Sequence, residues 1–221
     1  MNAPAGNELA SLGQPSYVER WEGKGNMATA GTNPITASAP RATIHDLYSV
    51  EGKAELINGR IVRYMPTGDL PSMVAAEIFV ALRAYTKRTG IGIARTDNLA
   101  YALAQPLKNG RQSFSPDASY YSGPLPANRM KFIDGTPTFA VEVRSEGDYT
   151  PAAQREMAAK RADYFEAGTL AVWDVDPQAR TIHSYTAAAP TQPTVYRVGD
   201  IASAEPAVPG WTLAVAEIFA D

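Results

Sequence analysis

The sequence predicts an α/β domain: a central mixed β-sheet flanked by helices, with a β-hairpin near its start. Three observations carry this expectation. Two long segments, about 70–88 and 151–167, have the caps and spacing of helices. At least five short runs rich in apolar and β-branched residues lie between and after them. The strands and helices do not alternate strictly, and hairpin-like pairs occur towards both ends, which favours a mixed sheet over an all-parallel one.

Residues 1 to about 40 are rich in Ala, Gly, Ser, Pro and Asn, with a helix-like stretch only at Tyr17 to Trp21. They are expected to form a flexible leader ahead of a domain at 41–221, because so few apolar groups cannot offset the entropy of ordering them. Order is expected to begin with a short helix around Thr43 to Val50. Ala54–Ile57, Asn58-Gly59 and Arg60–Tyr64 then spell a hairpin, since a type I′ turn needs two residues that tolerate positive φ. The first long helix is predicted from Leu70 to Arg88, with Asp69 as its cap and Pro71 in its first turn. Val74, Ile78, Leu82 and Tyr85 form its buried stripe, and Gly90 ends it.

Ile91 to Leu103 reads as two strands or one bent strand, and Asp117 to Tyr121 as another. In Thr138–Ser145, alternation turns Phe139, Val141 and Val143 one way and Ala140, Glu142 and Arg144 the other. Thr150-Pro151 opens the second long helix, which stops at Gly168. Strands are expected at Leu170–Val175, Thr181–Tyr185 and Val195–Val198, before a closing segment from Trp211 to Phe219.

Composition narrows the chemistry. The chain has 221 residues, 45% of them hydrophobic, enough for one domain with a real core. It has no cysteine, so disulfides, thiol nucleophiles and thiolate metal sites are excluded, and a cytoplasmic setting is expected. No apolar run of membrane-spanning length occurs, so no membrane association is expected. The net charge of −3 gives no global attraction to nucleic acid. The stretch from Arg83 to Arg161 is nevertheless basic, with 12 basic against 7 acidic residues, and can face a polyanion or form an ordinary mixed surface.

Carboxylates mark the candidate chemistry. Glu142 interrupts an apolar strand and carries Arg144 on the same face, a pair that suits a metal and an anionic phosphate, or equally a surface ion pair. Asp117 follows Pro116 at the head of a strand, where clefts form. Together Pro116-Asp117 and Glu142-Val143-Arg144 make the pattern PD…EXR and place two carboxylates on what can be neighbouring strands. His45 and His183 lie far apart without ligand-like spacing, so a zinc site is not expected.

From Thr43 to Phe219 a succession of short signatures resembles the Uma2 family of restriction-endonuclease-like proteins, within the PD-(D/E)XK nucleases. They are Glu55-Leu56-Ile57-Asn58-Gly59-Arg60, Ser115-Pro116-Asp117, Pro137 through Val141-Glu142-Val143-Arg144-Ser145, Lys160 with Tyr164 and Gly168, Trp173-Asp174-Val175-Asp176-Pro177, and Pro209-Gly210-Trp211. The order and spacing of the set carry the resemblance, since no single element is specific.

The resemblance implies a restriction-endonuclease-like core acting on DNA, with Asp117 and Glu142 binding Mg²⁺, or Mn²⁺ in its place, and Glu55 completing the acidic set. A cation, usually lysine, belongs two residues after the glutamate. Arg144 stands there and can clamp a phosphate but cannot act as a base. Lys160, on the following helix, is the candidate to take over the lysine's role. Met73 stands where family members often carry a histidine, and Glu77 one turn later is a possible substitute. Cutting both strands of a duplex would suit a homodimer. The competing expectations are a nuclease fold that has lost its chemistry and serves as a nucleic-acid-binding or structural module, and a metal-free hydrolase using Asp117 and Glu142 as an acid/base pair.

Overall fold

The computed structural model describes residues 41–220, so the expected leader and the helix-like stretch at Tyr17 to Trp21 lie outside the described residues. The chain enters through a short helix α1 (Ile44–Leu47), where Thr43 and Asp46 form a capping box. Strands β1 (Ala54–Ile57) and β2 (Arg60–Arg63) follow as an antiparallel hairpin. Its turn residues Asn58 and Gly59 have φ of 50° and 69°, as the Asn-Gly pair predicts. Helix α2 (Asp69–Thr89) is one residue longer at each end than expected. Gly68, not Asp69, is its N-cap, and Asp69 instead places a carboxylate in the first turn, where the helix dipole favours it.

The expected Ile91–Leu103 region divides into β3 (Ile93–Thr96) and β4 (Tyr101–Ala102), which belong to different sheets. Strands β5 (Ser113–Phe114), β6 (Ala118–Tyr121), β7 (Ile133–Asp134) and β8 (Phe139–Val143) come next. A 3₁₀ turn at Glu146–Tyr149 then leads into α3 (Pro151–Glu166), which Thr150 caps by accepting from the Ala153 amide. After it come β9 (Ala171–Asp176), β10 (Thr181–Thr186), β11 (Ala189–Arg197), β12 (Ile201–Ser203), β13 (Thr212–Ala214) and a last 3₁₀ turn, Val215–Phe219.

The central sheet has six strands in the order β11-β10-β9-β8-β6-β3, antiparallel throughout except for the parallel pair β8–β9. Strand β11 begins six residues earlier than expected. It is an edge strand, so Pro190 and Pro193, which donate no hydrogen bond, do not stop it.

Alternation gives the sheet two unlike faces. Ala118, Tyr120, Phe139, Val141, Val143, Trp173 and Val175 meet the buried stripe of α2, together with Trp211 and Leu213 from the C-terminal hairpin β12–β13. On the opposite face a smaller apolar cluster joins Ala140, Val172 and Tyr121 to Tyr164 of α3 and to Tyr101, Phe114 and Ile133 of the three-stranded sheet β5-β4-β7. The charged residues of the strands sit on this second face. Among the described residues no helix is long and apolar enough to cross a membrane.

Candidate active site

Strand register determines which carboxylates meet. Ala118 pairs with Val141, so Asp117, one residue before β6, lies beside Glu142 on the neighbouring strand and on the same face. Two backbone contacts fix it there: the Asp117 amide donates to the Val141 carbonyl at 3.0 Å, and the Val143 amide donates to Asp117 Oδ2 at 2.7 Å. On the other side of Glu142, the parallel partner strand presents Asp174. The sheet therefore carries a row of three acids, Asp117, Glu142 and Asp174, on the face that α3 covers.

Lys160 of α3 reaches down onto this row. Its ammonium lies 2.9 Å from Glu142 Oε2 and 3.0 Å from Glu55 Oε1. Tyr164, one turn further along the helix, donates to Glu142 Oε1 at 2.6 Å. Spacing of i and i+4 puts both donors on one helix face, so α3 grips both oxygens of a single carboxylate.

Glu55 arrives from β1 and lies behind Glu142, fully buried. Its Oε1 accepts from the Ser115 amide as well as pairing with Lys160, and its Oε2 accepts from Tyr64 and Arg111. Arg111 in turn binds Asp163 of α3 through Nε at 2.7 Å. The loop that carries Arg111 is packed against the hairpin turn: the Asn58 amide donates to the Gly110 carbonyl, and a Cβ on Gly110 would lie 2.8 Å from the Asn58 Cα. Gly110 has φ of 84°, so both space and backbone conformation require glycine there.

Lys53 completes the set at the outer edge, where its ammonium bridges Asp117 at 2.5 Å and Asp97 at 2.9 Å. The charges thus form two chains, Asp97–Lys53–Asp117 and Glu142–Lys160–Glu55–Arg111–Asp163. Each carries one surplus negative charge, and they meet where Asp117 adjoins Glu142.

The electrostatics differ along the chains. Burial alone would raise the Glu55 carboxyl, but Lys160 and Arg111, helped by the Ser115 amide and the Tyr64 hydroxyl, hold it at about 2. Burial raises the Glu142 carboxyl; Lys160 pulls it back and Asp117 pushes it further up, so it stays above the ordinary carboxylate range. Burial would lower the Lys160 ammonium, but Glu142 and Glu55 outweigh that and keep it charged. Lys53 is raised in the same way by Asp117 and Glu142, against its own desolvation.

Asp117 and Glu142 keep 22% and 19% of their side-chain surface exposed, against none for Glu55, so an ion from solvent can reach the first two. Among the described residues no three His, Cys, Asp or Glu side chains converge as a ready-made cage. The donors on offer are two carboxylates, which suits a hard cation that keeps several waters.

Of the residues singled out from the sequence, Glu55, Asp117, Glu142 and Lys160 are brought together. Arg144 is turned aside: it forms a two-pronged pair with Asp174, at 2.7 and 3.0 Å, and a weaker contact with Asp176 at 3.3 Å. Sequence reasoning missed Lys53, Tyr64, Arg111 and Asp163. Lys53 was within reach of it, because it stands two residues before Glu55, on the same side of an extended chain. Arg111 and Asp163 join only through the tertiary fold, and no local pattern announces them.

Residues 42–216 match the Uma2 family, described as "Putative restriction endonuclease". No curated protein matches the sequence. Among solved structures the chain resembles that of "a putative nuclease belonging to DUF820" from Anabaena variabilis ATCC 29413, with 18% identity and a TM-score of 0.62 over 80% of this chain and 97% of that one. At that identity the likeness speaks for the fold, and the family match covers the hairpin, both long helices and every residue of the acidic row. The chain belongs to the Uma2 family of restriction-endonuclease-like proteins.

Proposed function

We propose that this protein is a metal-dependent DNA endonuclease, with Asp117 and Glu142 as the ligands of one Mg²⁺, or of Mn²⁺ in its place. The observation that carries the reading is the meeting of these two partly exposed carboxylates on adjoining strands, with the Lys160 ammonium 2.9 Å from one of them. The two surplus negative charges at that point equal the charge of one divalent ion, and the donors are all oxygens. A divalent ion bound there makes water more acidic and stabilises charge on phosphoryl oxygens.

The side chains around it have separable tasks. Lys160 is locked between Glu142 and Glu55 and stays an ammonium, so it stabilises negative charge on the phosphate rather than removing a proton. It takes over the role that Arg144, committed to Asp174, does not fill. Tyr164 keeps its proton because burial and the neighbouring Glu142 disfavour the phenolate, and its hydrogen bond orients the Glu142 carboxylate. Glu55, with all its lone pairs directed at donors of the protein, positions Lys160 and completes the acidic set from behind. Lys53 holds Asp117 in place at the mouth. A homodimer would present two such sites to the two strands of a duplex.

Incubation of supercoiled plasmid and short DNA duplexes with Mg²⁺ or Mn²⁺ tests this reading. Nicking or linearisation that stops on chelation, and is absent in folded Asp117→Asn and Glu142→Gln, is the expected result. DNA binding without scission under every metal condition would overturn it in favour of a binding module built on the nuclease fold.

A further inference from the structure

One strand away from Glu142, between β9, β10 and α3, lies a cavity of about 260 Å³ lined by Arg144, Arg161, Asp174, Tyr185, Gln154 and Met157. Its lining carries two guanidinium groups and one carboxylate, and Asp176 behind Arg144 supplies a second counter-charge, so Arg161 shares its only carboxylate with Arg144. Arg161 follows Lys160 in α3 and is held in two ways. Its Nη1 donates to Asp174 Oδ2 at 2.9 Å, and its guanidinium stacks over the Tyr185 ring at 4.3 Å. Among the described residues its Nη1 alone has a hydrogen-bond partner, which leaves the Nε and Nη2 donors of this cavity-lining residue uncommitted.

Arg144 is fixed on the opposite side by its two-pronged pair with Asp174, and that single carboxylate is shared between both arginines. A planar donor fork held rigid by its neighbours suits phosphate better than a flexible lysine does, because little side-chain freedom remains to be lost. Asp174 is the register partner of Glu142. Asp174 at the cavity's edge therefore lies one strand over from Glu142, on the same face of the sheet.

We propose that this cavity is a phosphate subsite in which Arg161, supported by Arg144, Asp174 and Tyr185, binds the DNA phosphodiester adjacent to the one at Asp117 and Glu142. The inference rests on the nuclease reading of those two residues and assigns the neighbouring contact. It also accounts for Arg144: the arginine in the lysine position of the motif holds Asp174, the carboxylate that positions Arg161. A purely structural role, tying α3 to the sheet, would use the same ion pairs but would not depend on DNA.

Binding of a short DNA duplex is to be measured from low to moderate salt in the Glu142→Gln background, with and without Arg161→Ala, and with Arg161→Met, which keeps apolar contact with Tyr185 if the alanine variant unfolds. Removing one phosphate contact should weaken binding several-fold at low salt and reduce the slope of log K against log salt by about 0.9. Unchanged affinity and slope in a folded Arg161 variant would overturn the subsite, while metal-dependent cutting by the wild type would leave the nuclease reading standing. A wild type that neither binds nor cuts DNA would overturn both.

Discussion

Glu55→Gln should cost about 3 kcal/mol of folding stability at neutral pH, and the loss should fade in acid. The side chain is fully buried, and its carboxyl is held at about 2 against an ordinary 4.5. At about 1.4 kcal/mol for each tenfold in proton affinity, that preference for the ionised form is worth about 3 kcal/mol. Glutamine keeps the shape but removes the charge that Lys160 and Arg111 share, and it turns an amide N–H₂ towards groups that are themselves donors. The figure agrees with the roughly 3–5 kcal/mol observed when one partner of a buried ion pair is removed. For a domain of this size it corresponds to a fall of roughly 6–12 °C in Tm.

The sign of the pH dependence follows from a folded value below the unfolded one. The stabilisation is complete above about pH 4.5 and is lost as pH falls towards about 2. Urea unfolding of wild type and variant at pH 6, 4 and 3 should show equal slopes and a gap that narrows steadily across that series. A gap below about 1 kcal/mol at pH 6, or one that persists undiminished at pH 3, would refute the reasoning.

Other outcomes follow from neighbouring contacts. Glu142→Gln should remove cleavage while the chain stays folded at pH 7 to 8, because Lys160 keeps its ion pair with Glu55, as circular dichroism and the plasmid assay can check together. Lys160→Met should lower kcat by on the order of 10²-fold or more with little change in DNA affinity, as single-turnover and binding assays can separate. Thr150→Ala removes the cap of the helix that carries Lys160 and should cost about 1 kcal/mol in a denaturant titration. Leu82→Ala, on the far side of the sheet, should cost about 2–5 kcal/mol yet leave the rate per folded molecule unchanged.

Local chemistry made much of the fold legible in the sequence. Asn58-Gly59 specifies its turn through positive φ, Thr150-Pro151 opens α3, and the alternation in Phe139–Val143 sorts core from site. The weakly patterned pieces escaped, among them β5 and β7, two residues each and dependent on pairing with β4, and β11, whose prolines mask an edge strand. At the site, Asp117 and Glu142 stood out because a carboxylate in or beside an apolar strand is conspicuous. The partners that set their electrostatics did not, because Arg111 reaches Glu55 across 56 positions and Lys53 reaches Asp117 across 64. Arg144 shows the limit of motif spacing: its place in the chain suggested a phosphate clamp beside Glu142, yet Asp174 on the parallel neighbour strand offers a better-matched partner and draws it away.

Titration of the metal-free protein with Mn²⁺, followed by calorimetry and by the loss of the free-ion resonance signal, bears most directly on whether Asp117 and Glu142 grip one ion together. One site per chain, lost in Asp117→Asn and in Glu142→Gln alike, is the expected result. Binding that survives either substitution undiminished, or no binding to the wild type, would contradict the account.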